Sequence, residues 1–169
     1  MKPRVHGNGF IQLALTDRIR LHVWFKRSLL KQAVYTGIHT HRFRFRSTVL
    51  RGEIIHRELE FHPHWDGPYR LYRPRPDGTL EATGRVGFFT TKIETVLKAG
   101  DQYDFLEGKF HETHSVSDFS VTLMEKTDVF DIPVWVACPA DEDPDNEFDR
   151  DAHDENDLWM MITKALRGG

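Results

Sequence analysis

The chain carries one cysteine, Cys138, among 169 residues. An internal disulfide is therefore excluded, and the composition fits a reducing cytoplasm. No run of apolar residues is long enough for a transmembrane helix. The opening MKPRVHGNGF lacks the apolar stretch of a secretory leader, so a cytoplasmic location with no membrane association is the expectation. Basic residues are not clustered beyond one row, Arg42, Arg44 and Arg46. With a net charge of −3 and a pI near 6.4, this argues against a nucleic-acid partner. There is no internal repeat.

The chain has ten histidines, more than a chain of this length usually carries, and they are the first hint of metal chemistry. Charge is unevenly spread. Residues 1–140 hold twenty bases against sixteen acids, whereas residues 141–157, DEDPDNEFDRDAHDEND, hold ten acids and one base. The body is mildly basic and the following segment strongly acidic. Three parts result: a single globular domain over 1–140, an acidic linker over 141–157 expected to be solvated, and an amphipathic helix over 158–167. Asp157 is placed to cap that helix. Leu158, Met161, Ile162, Ala165 and Leu166 share one face, and Gly168 suits the C′ position. The helix is expected to dock on the outside of the body or on a second copy, which makes a homodimer the expected assembly.

The stretch most informative about function is GIHTHRFRFRSTVLRG, residues 37–52. His39, His41, Phe43, Phe45, Ser47 and Val49 share one parity; Thr40, Arg42, Arg44, Arg46 and Thr48 share the other. On a β-strand, residues two apart lie on one face. Burying three guanidinium groups costs far more than solvating them, so the His/Phe face points inward. Same-face neighbours on a strand are roughly 6.5–7 Å apart, close enough for two imidazoles to lean onto one ion. They can equally make separate hydrogen bonds. After Gly52, residues 53–61 read as a strand hairpin-paired with the first.

About sixty residues later comes GDQYDFLEGKFH, residues 100–111. Together the two stretches resemble the cupin superfamily, whose motifs are G-x5-HxH-x3-4-E-x6-G and G-x5-PxG-x2-H-x3-N. His39, His41 and Gly52 match the first; Gly100, Gly108 and His111 match the second, in the same order. The family acid falls at position 45, where this chain has Phe45, and Leu106 and Ser115 replace the proline and asparagine. The run RLHVWFKRSLLKQAVYTGIHTHRFRFRSTVLRG is similar to small cupin-like proteins of phages and bacteria. The resemblance spans residues 18–126.

Strands are also expected at residues 10–15, 18–25, 69–73, 80–91, 92–99, 110–115 and 119–126, separated by Gly or Pro turns. A helical turn is expected at residues 28–32. Residues 19, 21, 23 and 25 form one face of their strand and Arg20, His22 and Trp24 the other. This pattern indicates an all-β sandwich or barrel. The resemblance narrows it to a jelly-roll, the double-stranded β-helix of cupins, with a C-terminal amphipathic helix.

The resemblance implies a metal site made by His39, His41 and His111. Three imidazoles leave about three positions of an octahedral ion open. Three-histidine sites are known among cupin-like oxygenases, including thiol dioxygenases. The expected cofactor is therefore a divalent metal ion, iron first and zinc or nickel next, in a dioxygenase-like enzyme acting on a small molecule. Phe43 and Phe45 would form the apolar wall of its pocket. Tyr103 and Asp104 are the candidate catalytic side chains beyond the ligands. Two alternatives stand beside this: a binding or structural cupin without turnover, and a metal-free epimerase or isomerase using His111 with Asp104 or Tyr103.

Overall fold

The structure is a computed structural model describing residues 1–27 and 29–167. Eleven strands fall into two antiparallel sheets. The first contains β1 (Arg4–Val5), β2 (Ile11–Ala14), β3 (Ile19–Phe25), β4 (Phe43–Arg51), β8 (Gln102–Phe105) and β10 (Phe119–Val129), in the order β1-β2-β3-β10-β4-β8. The second contains β5 (Glu53–Pro63), β6 (Tyr69–Pro74), β7 (Leu80–Lys98), β9 (Phe110–Ser115) and β11 (Val136–Pro139), in the order β11-β6-β7-β5-β9. A single helix, α1 (Glu155–Arg167), follows. This is a jelly-roll sandwich with a C-terminal helix. No described helix is long and apolar enough to cross a membrane.

Four local expectations are corrected. First, β4 begins at Phe43, so His39 and His41 precede the regular strand. The backbone of His39 instead bridges two strands, pairing with His111 of β9 and with Val136 of β11. Thr40 extends this stitch, accepting from the Trp135 amide through Oγ1 and donating its own amide to the Trp135 carbonyl. The two edge strands of the second sheet are thereby joined through residues 38–40, which curls that sheet.

Second, β4 and β5 do not form a hairpin: they lie in different sheets, and the chain changes sheet at Gly52. Gly52 has φ +75°, and a Cβ there would lie 2.5 Å from the Phe119 carbonyl oxygen and 2.6 Å from Ser120 Oγ. Only glycine combines that conformation with that approach. Gly52→Ala is expected to destabilise the fold by about 1–3 kcal/mol from left-handed strain and crowding together. Urea unfolding measures it, and an unchanged midpoint would refute this account of the crossover.

Third, residues 80–98 form one strand rather than two, running through Gly84 and Gly87. Fourth, α1 starts at Glu155. Its cap is Asp154, whose Oδ1 accepts from the amides of Asn156 and Asp157. Ser28 and Gly168, part of the expected turn and the expected C′ residue, lie outside the described residues; residues 29–32 are not helical.

On β2, β3 and part of β10 the apolar side chains face outward, whereas Phe45 of β4, Phe105 of β8 and Met124 of β10 face the interior. Ile11 and Leu13 of β2, Leu21 and Val23 of β3, and Val121 of β10 form one core with Leu158, Ile162 and Ala165 of α1. The opposite face of the same strands presents Gln12, Arg20, His22, Trp24 and Thr122 to the interior. The acidic segment is part of this cover. The Arg150 carbonyl accepts from the Val5 amide, Asp145 pairs with Lys31, and Phe148 packs against the outer core.

Candidate functional site

The two motifs meet through the backbone. His39 and His111 exchange hydrogen bonds, N to O at 3.1 and 3.0 Å. Residues directly opposite in such a pair project their side chains to one face, so strand pairing brings together imidazoles seventy-two positions apart. His41, two residues further on, joins them. Ring centroids lie 4.6 Å apart for His39–His41, 4.5 Å for His39–His111 and 5.0 Å for His41–His111. One nitrogen from each of the three lies within 4.8 Å of the others.

Hydrogen bonds orient these rings unequally. His39 Nδ1 lies 2.8 Å from the Gly37 carbonyl, which makes it the protonated nitrogen and leaves Nε2 with a lone pair. That Nε2 faces His41 Nε2 at 3.1 Å. His111 is buried, and neither of its ring nitrogens has a hydrogen-bond partner. Burial holds all three imidazoles below their ordinary pKa, most strongly at His41 and His111. They are neutral at pH 7 and offer lone pairs.

The aromatic side chains expected beside them are there. The Phe43 ring stacks on His41 at 4.6 Å between centroids, and Phe45 stands edge-on to His41 at 5.5 Å and 5.8 Å from His111. Phe45 is buried in a cluster with Phe105 and Met124. Tyr103, paired opposite Ser47 on β4, faces inward within hydrogen-bonding reach of Ser47 and Thr113. Burial pushes its phenol pKa up. Asp104 has the opposite parity and faces solvent, where its carboxylate takes Arg46 Nε at 2.9 Å. It does not join the imidazoles. The outward row Arg44 and Arg46 is neutralised by Glu107 and Asp104 rather than by the acidic segment.

Three further histidines surround the cluster. His6 stacks on Phe10 at 4.4 Å and lies 6.3 Å from the His39 ring. His22 Nε2 meets Gln12 Nε2 at 3.2 Å, and burial lowers its pKa to about 3. His56, on β5, lies 5.1 Å from His111 and 4.4 Å from Tyr103 between centroids. Its Nδ1 meets Thr113 Oγ1 at 3.2 Å, its Nε2 is buried without a partner, and burial lowers its pKa to about 4. The alternation of β5 puts His56 on its buried side. Nothing local marked His6. The rings of His6, His22, His39, His41 and His111 line an interior cavity of about 40 Å³. A cleft of about 340 Å³, bordered by Trp24, Tyr35, His39 and Glu112, adjoins it.

No protein-family model and no curated protein matches this chain. Solved structures similar to it include Drosophila melanogaster CENP-C bound to CAL1, with TM-score 0.43 and 11% identity over 75% of this chain and 80% of that one. Another is the hydroquinone 1,2-dioxygenase PnpCD in complex with Cd2+ and 4-hydroxybenzonitrile, with TM-score 0.38 and 16% identity over 68% and 61%. An oxalate decarboxylase variant from Bacillus subtilis has TM-score 0.36 and 11% identity over 99% of this chain but 35% of its own. The dioxygenase and the decarboxylase are cupin-fold proteins.

Proposed function

We propose that the protein is a metal-binding cupin that holds a divalent ion on His39, His41 and His111 and takes a small molecule as its ligand. One observation carries this reading: His111 is buried with both ring nitrogens unpartnered, and one of them points into a triangle of imidazole donors. Leaving a buried polar atom unsatisfied costs roughly 1–3 kcal/mol. A cation shared by three neutral lone pairs removes that cost at the same point, so the donor set fits the ion.

Iron is the favoured occupant, and zinc or nickel accept the same donors. Bound there, iron would supply a redox centre for a dioxygenase-like oxidation, and zinc or nickel a Lewis acid. The chain's own residues prepare the site. The Gly37 carbonyl fixes the His39 tautomer so that Nε2 is presented. Burial keeps the three rings unprotonated at neutral pH. Phe43 and Phe45 exclude water from one side. Tyr103 is the catalytic candidate: a phenol that keeps its proton, aimed inward and steadied by Ser47 and Thr113. Asp104, turned to solvent, has no part in this proposal. A binding role without turnover is the second reading, supported by the cavity lining, in which no carboxylate stands among the described residues. We place the protein in the cytoplasm on its cysteine usage, with a homodimer as the proposed assembly.

Metal analysis of untagged protein, beside a His39→Ala/His41→Ala variant, tests the proposal. Near-stoichiometric metal in the wild type and its loss in the variant are expected. Wild-type protein that stays metal-free after reconstitution with iron, zinc and nickel overturns it.

A further inference from the structure

Several arginines on the outside of this molecule hold acids. Arg44 pairs with Glu107, Arg46 with Asp104, Arg57 with Glu94 and Glu112, and Arg75 with Glu81. Arg20 is different. It belongs to the inward row of β3 with His22 and Trp24, is half-buried, and lines the imidazole cavity. Among the described residues no carboxylate lies within ion-pair distance of its guanidinium. The contact it has is with a ring, 6.0 Å from the Phe43 centroid.

The surroundings add positive charge rather than cancel it. Lys126 Nζ lies 5.2 Å from the same Phe43 ring and donates to the backbone carbonyl of Asp17. Arg150, the one base of the acidic segment, is close enough for its charge to act on Arg20. A guanidinium cannot shed its proton to escape burial. Removing it from water without a counter-charge is unfavourable, and its planar fork matches a carboxylate in bidentate geometry.

We infer that Arg20 is the anion-binding group of the cavity and that the protein's small-molecule ligand carries a carboxylate. The ligand's apolar part lies against Phe43 and Phe45, and its other end reaches toward His39, His41 and His111. The last clause rests on the metal-binding reading; the carboxylate contact does not.

Acetate is the probe, small enough for the cavity, and acetamide is its neutral counterpart. Both are titrated into chelator-treated, metal-free protein, and the Arg20 Nε–H resonance is followed by NMR. Acetate is expected to move that resonance and to bind about tenfold or more tighter than acetamide, as a charge-assisted hydrogen bond implies. Arg20→Gln should abolish the preference and Arg20→Lys retain part of it, both keeping wild-type metal content. Equal binding of the two probes by the wild type overturns the inference without recourse to any variant. So does an Arg20→Gln protein that keeps the acetate preference, and in that case metal bound by the three histidines still stands. Conversely, an acetate preference lost in Arg20→Gln but present in His39→Ala/His41→Ala supports Arg20 whatever becomes of the metal site.

Discussion

Metal-free protein is expected to unfold cooperatively as the pH falls from about 6.5 to about 4.5, a loss that begins above the range where carboxylates titrate. The cause is the store of imidazoles, His22, His56 and His111 buried and His6, His39 and His41 half-buried. His22 titrates near 3 and His56 near 4, and His6, His39, His41 and His111 are also held below their ordinary value, in each case chiefly by burial. In the unfolded chain each takes up a proton near pH 6.5. The unfolded state therefore binds more protons than the folded one below that pH, and stability declines as the pH drops. For His56 the loss continues to about pH 4, and for His22 to about pH 3. One such group costs about 1.4 kcal/mol per pH unit, or roughly 3 kcal/mol across two units. Two groups alone approach the whole stability of a typical domain, about 5–15 kcal/mol, and four more act in the same direction. Urea unfolding at a series of pH values gives the proton uptake directly. A slope corresponding to two or more protons is expected between pH 6 and 5, and His22→Gln should lower it by about one. Stability that stays flat from pH 6.5 to 4.5 would show that the imidazoles are hydrated in solution, contrary to the cavity described here.

The second large effect concerns α1. A double variant, Leu158→Ala/Ile162→Ala, is expected to lose roughly 4–8 kcal/mol, with each truncation contributing a few kcal/mol and the two sharing neighbours. Leu158 is 1% exposed and Ile162 2% exposed, both in one core cluster with Val5, Ile11, Val23 and Val121. Met160→Ala, on the exposed face of the same helix, should change little. The size of the effect follows from the orientation of the first sheet. On β2, β3 and β10 the apolar row of Ile11, Leu13, Leu21, Val23 and Val121 is on the outside, while Gln12, Arg20, His22 and Thr122 of the same strands face inward, so the helix supplies the apolar burial for that half of the sheet. A thermal shift of the double variant no larger than that of Met160→Ala would mean that the helix is an ornament of the sheet rather than its cover. Partial unfolding that spares the second sheet would place the loss in the helix-covered half.

Sequence patterning reached the architecture because alternation and turn chemistry are local. The parity of residues 39–49 put Phe45 and Ser47 together on the buried side and Arg44 and Arg46 on the wet side, since no arrangement buries three guanidinium groups cheaply. The resemblance of two motifs to those of cupins joined His39 and His41 to His111, although the alternation missed that the first two precede the strand. The same parity separates Tyr103 from Asp104, so that only one of the pair can face the interior. The place of His56, the unpaired charge of Arg20 and the change of sheet at Gly52 were beyond it. Alternation states which side chains share a face; it cannot state which face is inside. On β3 the apolar side, Leu21 and Val23, turns outward because a helix more than a hundred residues later covers it, and that releases Arg20, His22 and Trp24 to the cavity. The chain by itself determined the strands and the inward row of β4, and the resemblance of its motifs implied the donors. Which surfaces met, and therefore which polar groups were left enclosed around those donors, was decided by long-range burial in the tertiary structure.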